Sequence, residues 1–211
     1  MFFLKNFKLF FWDFDGVIKE SIKVKTQAYF KLFEPFGLDV AEKVRQHHEI
    51  NAGISRFDKM PLYLQWAGLT PTKFHVDEYC EQFSYKVLQG VIDAPWVAGV
   101  EEYLRTNPHK QDFVLTSATP QGELERILHA LDLTKCFVDI YGAPTPKQEA
   151  IRKMLHARDI DPSNSLMIGD AQADLDAATV NQVPFLLRRH SDNSRVFANY
   201  TGPFVENFSN L

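Results

Sequence analysis

Two textures alternate along the chain. Short apolar runs end abruptly in polar or glycine-containing loops at Lys8–Trp12, Phe113–Thr116, Phe137–Tyr141, Ser165–Ile168 and Pro184–Leu187. Runs this short, rich in aromatic or β-branched residues and bounded by turn signals, predict buried strands. Between the later runs the period changes. Leu124, Ile127, Leu128 and Leu131 recur at helical spacing, with Thr119 as the expected N-cap and Pro120 at the first helical position. Ala150, Ile151, Met154 and Leu155 mark a further helix. Strand and helix alternating over residues 112–187 predict a parallel, doubly wound sheet covered on both faces.

Residues 18–98 break this alternation and read as successive helices. Val24, Ala28, Leu32 and Phe36 form one stripe, Met60, Tyr63, Leu64 and Ala67 a second, and Tyr79, Cys80, Phe83 and Val87 a third. Residues 1–17 and 99–211 are therefore assigned to an α/β core and 18–98 to a helical insertion after the first strand. Pro95–Gly99 is the expected return hinge.

Composition narrows the classes. The chain has 211 residues, 45% hydrophobic and 24% charged, enough for one well-buried domain carrying an insertion. Its net charge of −4 offers no electrostatic grip on nucleic acid or anionic lipid. No window approaches the roughly 18 apolar residues of a membrane span, and the apolar patch at Met1–Leu4 is too short for a signal peptide. Two distant cysteines, Cys80 and Cys136, fit a reduced, cytoplasmic setting.

Polar clusters follow three of the strands. Asp13 and Asp15 follow the first, Ser117 the second, and Asp170 and Asp174 the one ending at Ile168. The carboxyl ends of strands in an open parallel sheet line the ligand crevice, so these groups are expected to converge although Asp15 and Ser117 lie 102 residues apart. Four carboxylates brought together need compensation, and all-oxygen ligation suits Mg²⁺. Lys147, at the start of the helix before the Asp170 strand, adds a positive charge. Ser117 offers a hydroxyl beside backbone N–H groups entering a helix, a place that holds phosphate. A carboxylate nucleophile, a cation, a lysine and an N–H cradle describe phosphoryl transfer.

Asp13-Phe-Asp15-Gly16-Val17, Ser117, Lys147 and Gly169-Asp170-x-x-x-Asp174 resemble, in order, the four motifs of the haloacid dehalogenase-like hydrolase superfamily. The helical insertion resembles that family's cap. The resemblance implies a Rossmann-like core and assigns roles. Asp13 would be nucleophile and metal ligand. Asp15 would be general acid/base, with its carbonyl on the metal. Ser117 and the Ala118 backbone would bind the phosphoryl oxygens, Lys147 would neutralise them, and Asp170 and Asp174 would hold Mg²⁺, the latter directly or through water. An acid two residues after the nucleophile favours phosphate esters over C–halogen bonds. Thr116 stays open as the alternative hydroxyl. Asn51-Ala-Gly53-Ile-Ser55-Arg56 resembles the cap loop of helical-capped members such as β-phosphoglucomutase, which makes Arg56 or Lys59 a candidate for an anionic substrate group. A surface Arg56 paired to Asp58 or Glu49 is the alternative. His47 and His48 are read as structural, and Arg188-Arg189-His190 as a solvated edge.

The expected activity is Mg²⁺-dependent hydrolysis of a small phosphorylated metabolite, sugar phosphates among the candidates, with no nucleic acid or membrane partner. A phosphomutase and a non-catalytic binding or regulatory protein are the alternatives. The sequence leaves oligomeric state open.

Overall fold

The computed structural model describes residues 4–209, so the start of the N-terminal apolar patch lies outside the described residues. Six parallel strands form one sheet. They are β1 (Leu9–Trp12), β2 (Asp112–Pro120), β3 (Asp139–Ala143), β4 (Ser165–Gly169), β5 (Phe185–Arg188) and β6 (Phe204–Val205), in the spatial order β3-β2-β1-β4-β5-β6. The order reverses at β1, as in doubly wound sheets whose ligands sit at the carboxyl ends of the central strands.

Strand alternation divides the core between the two faces. Phe10 and Trp12 of β1 face one cluster with Phe113 and Leu115, whereas Leu9 and Phe11 face another with Val114 and Met167. Helices α5 (Val100–Thr106) and α6 (Gln121–Ala130) cover the first face through Tyr103, Leu104, Leu124 and Ile127. Helices α7 (Lys147–Arg158) and α8 (Gln172–Val180) cover the second through Ile151, Met154, Ala177 and Ala178. Every residue of β1 is fully buried, as expected for a strand flanked on both sides and covered on both faces.

Between β1 and β2 the chain forms α1 (Ile22–Phe33), α2 (Leu38–Ile50), α3 (Arg56–Trp66) and α4 (Lys73–Asp93). Their buried faces meet around Tyr29, Phe33, Tyr63 and Phe83, with Tyr29 and Phe83 centroids 4.0 Å apart. This apolar cluster is continuous with the one beneath α5 and α6, so the helical unit packs directly on the sheet layer. The two strands of chain that join the layers are tied together: Lys19 bridges both Asp15 and Trp96, and Val97 N–H donates to the Ile18 carbonyl at 3.0 Å.

The structure corrects three local expectations. β2 runs through Thr119 and Pro120, because Pro120 still pairs with Ala143 of β3 after a register shift. Helix α6 therefore starts at Gln121, and Thr119 does not cap it. β3 begins at Asp139 rather than Phe137, which anchors the chain in the core just before the strand. β6, two residues long, carries too little pattern to read from sequence. Cys80 and Cys136 are free.

Candidate active site

Sheet register explains why the acidic groups meet. Trp12, the last residue of β1, lies between Leu115 of β2 and Ile168 of β4. One residue further, the Asp13 N–H donates to the Ile168 carbonyl at 2.9 Å, which fixes Asp13 beside the Gly169-Asp170 turn. Carboxylate oxygens of Asp13, Asp170 and Asp174 fall within 4.8 Å of one another. All three residues are buried.

Lys147 closes this cluster from the start of α7. Its Nζ lies 2.7 Å from Asp13 Oδ1 and 2.5 Å from Asp174 Oδ1. Burial alone lowers the Lys147 ammonium, but Asp13 and Asp174 outweigh it and hold the group above its ordinary range. One cation does not balance three carboxylates. Burial pushes the Asp13 carboxyl well up; Lys147 opposes this, and Asp174, Asp170 and Asp15 add to it. Burial, then Asp174, likewise raises Asp170.

Asp174 has both oxygens engaged. Oδ1 takes Lys147, while Oδ2 accepts the N–H groups of Asp170 at 3.2 Å and Ala171 at 3.0 Å. It is a brace for the turn. Asp170 is braced in its turn: His190 Nε2 lies 2.9 Å from Asp170 Oδ2, and the Asn193 amide donates to the Asp170 carbonyl at 2.9 Å. His190 Nδ1 accepts the Asp192 N–H at 3.2 Å, which places the ring proton on Nε2. Burial, then Arg188, lowers His190 to about 4, so a neutral imidazole donates to the Asp170 carboxylate. Arg188 itself is buried and paired with Glu20. The segment expected to be a solvated edge is thus part of the wall of the site.

Glycine is required at one point in this wall. Gly16 has φ +78°, and a Cβ there would come within 2.2 Å of Asp170 Oδ2. The turn after Asp15 therefore carries backbone directly against the Asp170 carboxylate.

Asp15 sits at the junction with the helical unit. Its Oδ1 accepts the Ser21 hydroxyl at 2.6 Å, and its Oδ2 pairs with Lys25 of α1 and takes the Thr119 hydroxyl at 3.3 Å. Burial alone would raise this carboxyl; Lys25 and Ser21 overcome it and hold Asp15 below its usual value. Ser21 and Lys25 carry no sequence signal beyond lying near the first motif, and Thr119 reads only as a helix N-cap.

The two hydroxyls of β2 diverge. Thr116 Oγ1 lies 3.4 Å from the Trp12 carbonyl inside the sheet. Ser117 Oγ accepts the Thr119 N–H at 3.1 Å, bending the strand end. Ala118 lines the cavity. The N–H groups expected to enter a helix here belong instead to the irregular end of β2, since α6 begins later.

A cavity of about 40 Å³ lies over this cluster, lined from below by Asp13, Asp15, Ala118, Lys147 and Asp170 and from above by α1–α3. A wider groove of about 630 Å³, running between α1, α2 and the start of α8, shares Ile22, Gly53, Ile54 and Asp170 with it. At the rim the layers touch closely: a Cβ on Gly53 would meet the Ala171 and Ala173 methyls at 2.8 and 3.0 Å. Arg56 lines the cavity and departs from its surface alternative. It is buried rather than exposed, and its partner is Glu123 of α6, not Asp58 or Glu49. The contact is bidentate at 2.7 and 2.8 Å, with Nη1 also 2.5 Å from Ser84 Oγ and the guanidinium 4.6 Å over Phe83.

Solved structures share this fold. β-Phosphoglucomutase from Clostridium difficile aligns with a TM-score of 0.72 at 20% identity, over 97% of this chain and 93% of that one. CbbY from Rhodobacter sphaeroides, solved with phosphate, aligns with a TM-score of 0.77 at 12% identity, over 97% and 96%. A variant of that protein was solved with xylulose-1,5-bisphosphate. A predicted phosphoglycolate phosphatase from Haemophilus somnus aligns with a TM-score of 0.69 at 15% identity, over 98% and 97%. The model of one sequence family, haloacid dehalogenase-like hydrolase, matches residues 10–187, a span that runs from β1 to β5 and contains every acidic residue of the cluster. By that match the chain belongs to the haloacid dehalogenase-like hydrolases.

Proposed function

We propose that this chain is a Mg²⁺-dependent phosphohydrolase that cleaves a small phosphate monoester through an aspartyl-phosphate on Asp13. The observation that carries the reading is the buried carboxylate cluster with Lys147 held against Asp13 at 2.7 Å. Attack requires Asp13 ionised, yet its surroundings raise its carboxyl well above the usual range. An added cation resolves that conflict. The donors are all oxygen, which fits Mg²⁺. Asp13 and Asp170 would hold it directly, with the Asp15 carbonyl; Asp174, with both oxygens already engaged, would act through water. Bound there, the ion supplies charge neutralisation for the phosphoryl oxygens.

The protein's own groups supply the rest. An Asp13 oxygen attacks phosphorus as the bond to the leaving oxygen breaks, and Lys147 beside Oδ1 offsets charge on the transferring group. Asp15 delivers a proton to the leaving oxygen. It later takes one from the water that cleaves the aspartyl-phosphate. The Lys25 and Ser21 contacts favour its ionised form, so the conformation seen suits the second half-reaction. The Ala118 N–H, on the cavity wall, and the Ser117 hydroxyl next to it in sequence would hydrogen-bond the phosphoryl oxygens. Residues 18–98 act as a cap over a core of 1–17 and 99–211, and the close contact at Gly53 supports a closed, water-excluding state. Arg56 in this reading holds cap to core through Glu123.

Hydrolysis of an aryl phosphate should stop with EDTA, return with Mg²⁺, and be lost in a folded Asp13→Asn variant. Near-normal turnover by that variant would overturn the reading. Interconversion of sugar phosphates with little free phosphate would replace it by a phosphomutase.

A further inference from the structure

Four basic side chains reach the cavity, and three have a carboxylate. Lys147 has Asp13 and Asp174, Lys25 has Asp15, and Arg56 has Glu123. Lys59 of α3 is different. It is only 4% exposed, and among the described residues no carboxylate oxygen lies within 4.0 Å of its Nζ. Its two hydrogen-bond partners are neutral, His48 Nδ1 at 3.0 Å and the Asn51 carbonyl at 2.9 Å. An ammonium has three donors, so one remains. A buried charge without a counter-charge is costly, and such groups persist where something else supplies the charge.

The neighbouring imidazole shows the same deficit. With Nδ1 accepting from the Lys59 ammonium, the ring proton lies on Nε2, and His48 Nε2 is a buried polar atom with no hydrogen-bond partner. His48 lines the same cavity and is held against Tyr29 at 4.6 Å between ring centroids. Two donors lacking acceptors, one of them cationic, thus occupy the cap side of a cavity whose floor holds Asp13. The floor is acidic and calls for a cation and the phosphoryl group. The roof is basic and calls for an anion.

We infer that Lys59, with His48 beside it, forms a subsite for an anionic oxygen group on the leaving-group half of the substrate, a carboxylate or a second phosphate. This rests on the phosphohydrolase reading above and names its substrate class: short phosphomonoesters with a second anionic group. Asp13, where the phosphoryl group is transferred, and Lys59 line one small cavity, so the second anionic group stands close to the scissile ester. Burial, with Lys25 and Arg56 repelling, lowers Lys59 to about 7, and an arriving anion would draw it into the protonated form. Of the two residues whose sequence context pointed to such a role, Arg56 has its charge already matched by Glu123, so the unmatched charge is that of Lys59.

The test compares two substrate pairs. Phosphoglycolate and its carboxamide differ in a carboxylate, and 1,3-propanediol bisphosphate and 3-hydroxypropyl phosphate differ in a second phosphate. A charge-assisted contact predicts that the natural chain prefers the anionic member of at least one pair by about 10- to 100-fold in kcat/KM. The preferred pair tells carboxylate from phosphate. Lys59→Met should reduce that ratio to about threefold or less, and Lys59→Arg should retain part of it. Removing a lone buried charge does not threaten folding, and a thermal melt of each variant checks this. If all four compounds are hydrolysed without preference, or the preference survives in Lys59→Met, this inference fails and the phosphohydrolase reading stands. If none of the four is hydrolysed while the aryl phosphate still is, this inference fails and the phosphohydrolase reading stands; if the aryl phosphate is not hydrolysed with Mg²⁺ either, the reading fails and takes the inference with it.

Discussion

Replacing Glu123 by glutamine removes the charge from one half of the buried contact between cap and core while keeping its size. In the native chain the Arg56 and Glu123 side chains are 3% and 1% exposed, joined by two hydrogen bonds, with Phe83 beneath the guanidinium. A guanidinium stays charged in folded proteins, so Glu123→Gln leaves a buried cation with the Ser84 hydroxyl, a neutral amide and the Phe83 ring but no counter-charge. Breaking a buried pair from one side costs about 3–5 kcal/mol, most of it the penalty for the stranded charge. Equilibrium urea unfolding should therefore show a loss of about 3 kcal/mol or more, seen as a lower midpoint at similar slope. The double variant Arg56→Met, Glu123→Leu removes both charges and lays methionine over Phe83, and should recover most of the loss. The alternative escape for the stranded guanidinium is cap opening, which hydrates it without unfolding the core. A Glu123→Gln protein within about 0.5 kcal/mol of the native chain would show that this route is nearly free, and that the pair does not hold the cap closed.

Three further outcomes follow from particular contacts. Gly16→Ala forces a Cβ against Asp170 Oδ2 at a positive φ, and should lower thermal stability and raise the Mg²⁺ concentration needed for half activity about 10- to 100-fold; a native-like Mg²⁺ titration would refute the close approach. Asp15→Asn should slow transfer of the phosphoryl group to Asp13, read as kcat/KM, about 10²–10⁴-fold on alkyl phosphates and much less on an aryl phosphate with an acidic leaving group, whereas equal losses in kcat/KM would deny Asp15 its role as proton donor. Lys59 titrates near about 7 when folded, held down by burial with Lys25 and Arg56, against 10.5 ordinarily, so between those values the unfolded chain binds the extra proton. Stability should accordingly rise from about pH 7.5 to about pH 9.5, and Lys59→Met should lack that component; parallel urea profiles for the two proteins would contradict it. The other groups facing Lys59 are Lys25 and Tyr29 from α1, His48 from α2, Asp15 from the core, and Arg56 and Asp58 on its own helix, and both proteins retain them.

The core was legible because its central strands β1 and β4 are short, fully buried and end where chemistry begins. Once Trp12 and Ile168 are read as the last residues before their turns, the meeting of Asp13 with Asp170 follows from parallel pairing alone. The helical insertion was legible from period. What sequence did not reveal lies in long-range partners. Glu123 looks like an ordinary first-turn acid on an amphipathic helix; nothing local shows that it is buried against an arginine 67 positions away. Lys25 reaches Asp15, and His190 reaches Asp170, only through the docking of separate elements. The helix expected at Thr119-Pro120 failed for a similar reason. Its capping signal is genuine in isolation, but pairing with Ala143 on β3 keeps those residues extended. Lys59 stands as a candidate only beside Arg56 through the resemblance of the cap loop, and His48 reads as structural, because the cost of burying them appears only when α1–α3 close around the same cavity.

The central claim is covalent: the phosphoryl group passes through the carboxylate of Asp13. Mixing the protein with Mg²⁺ and a ³²P-labelled aryl phosphate, quenching in acid within milliseconds, and mapping the label by peptide mass spectrometry tests it directly. The account predicts a transient acid-stable, hydroxylamine-labile label on the peptide containing Asp13, present in Asp15→Asn at higher occupancy because the second half-reaction loses its base. Steady hydrolysis with no labelled peptide, or label on a residue other than Asp13, would contradict it.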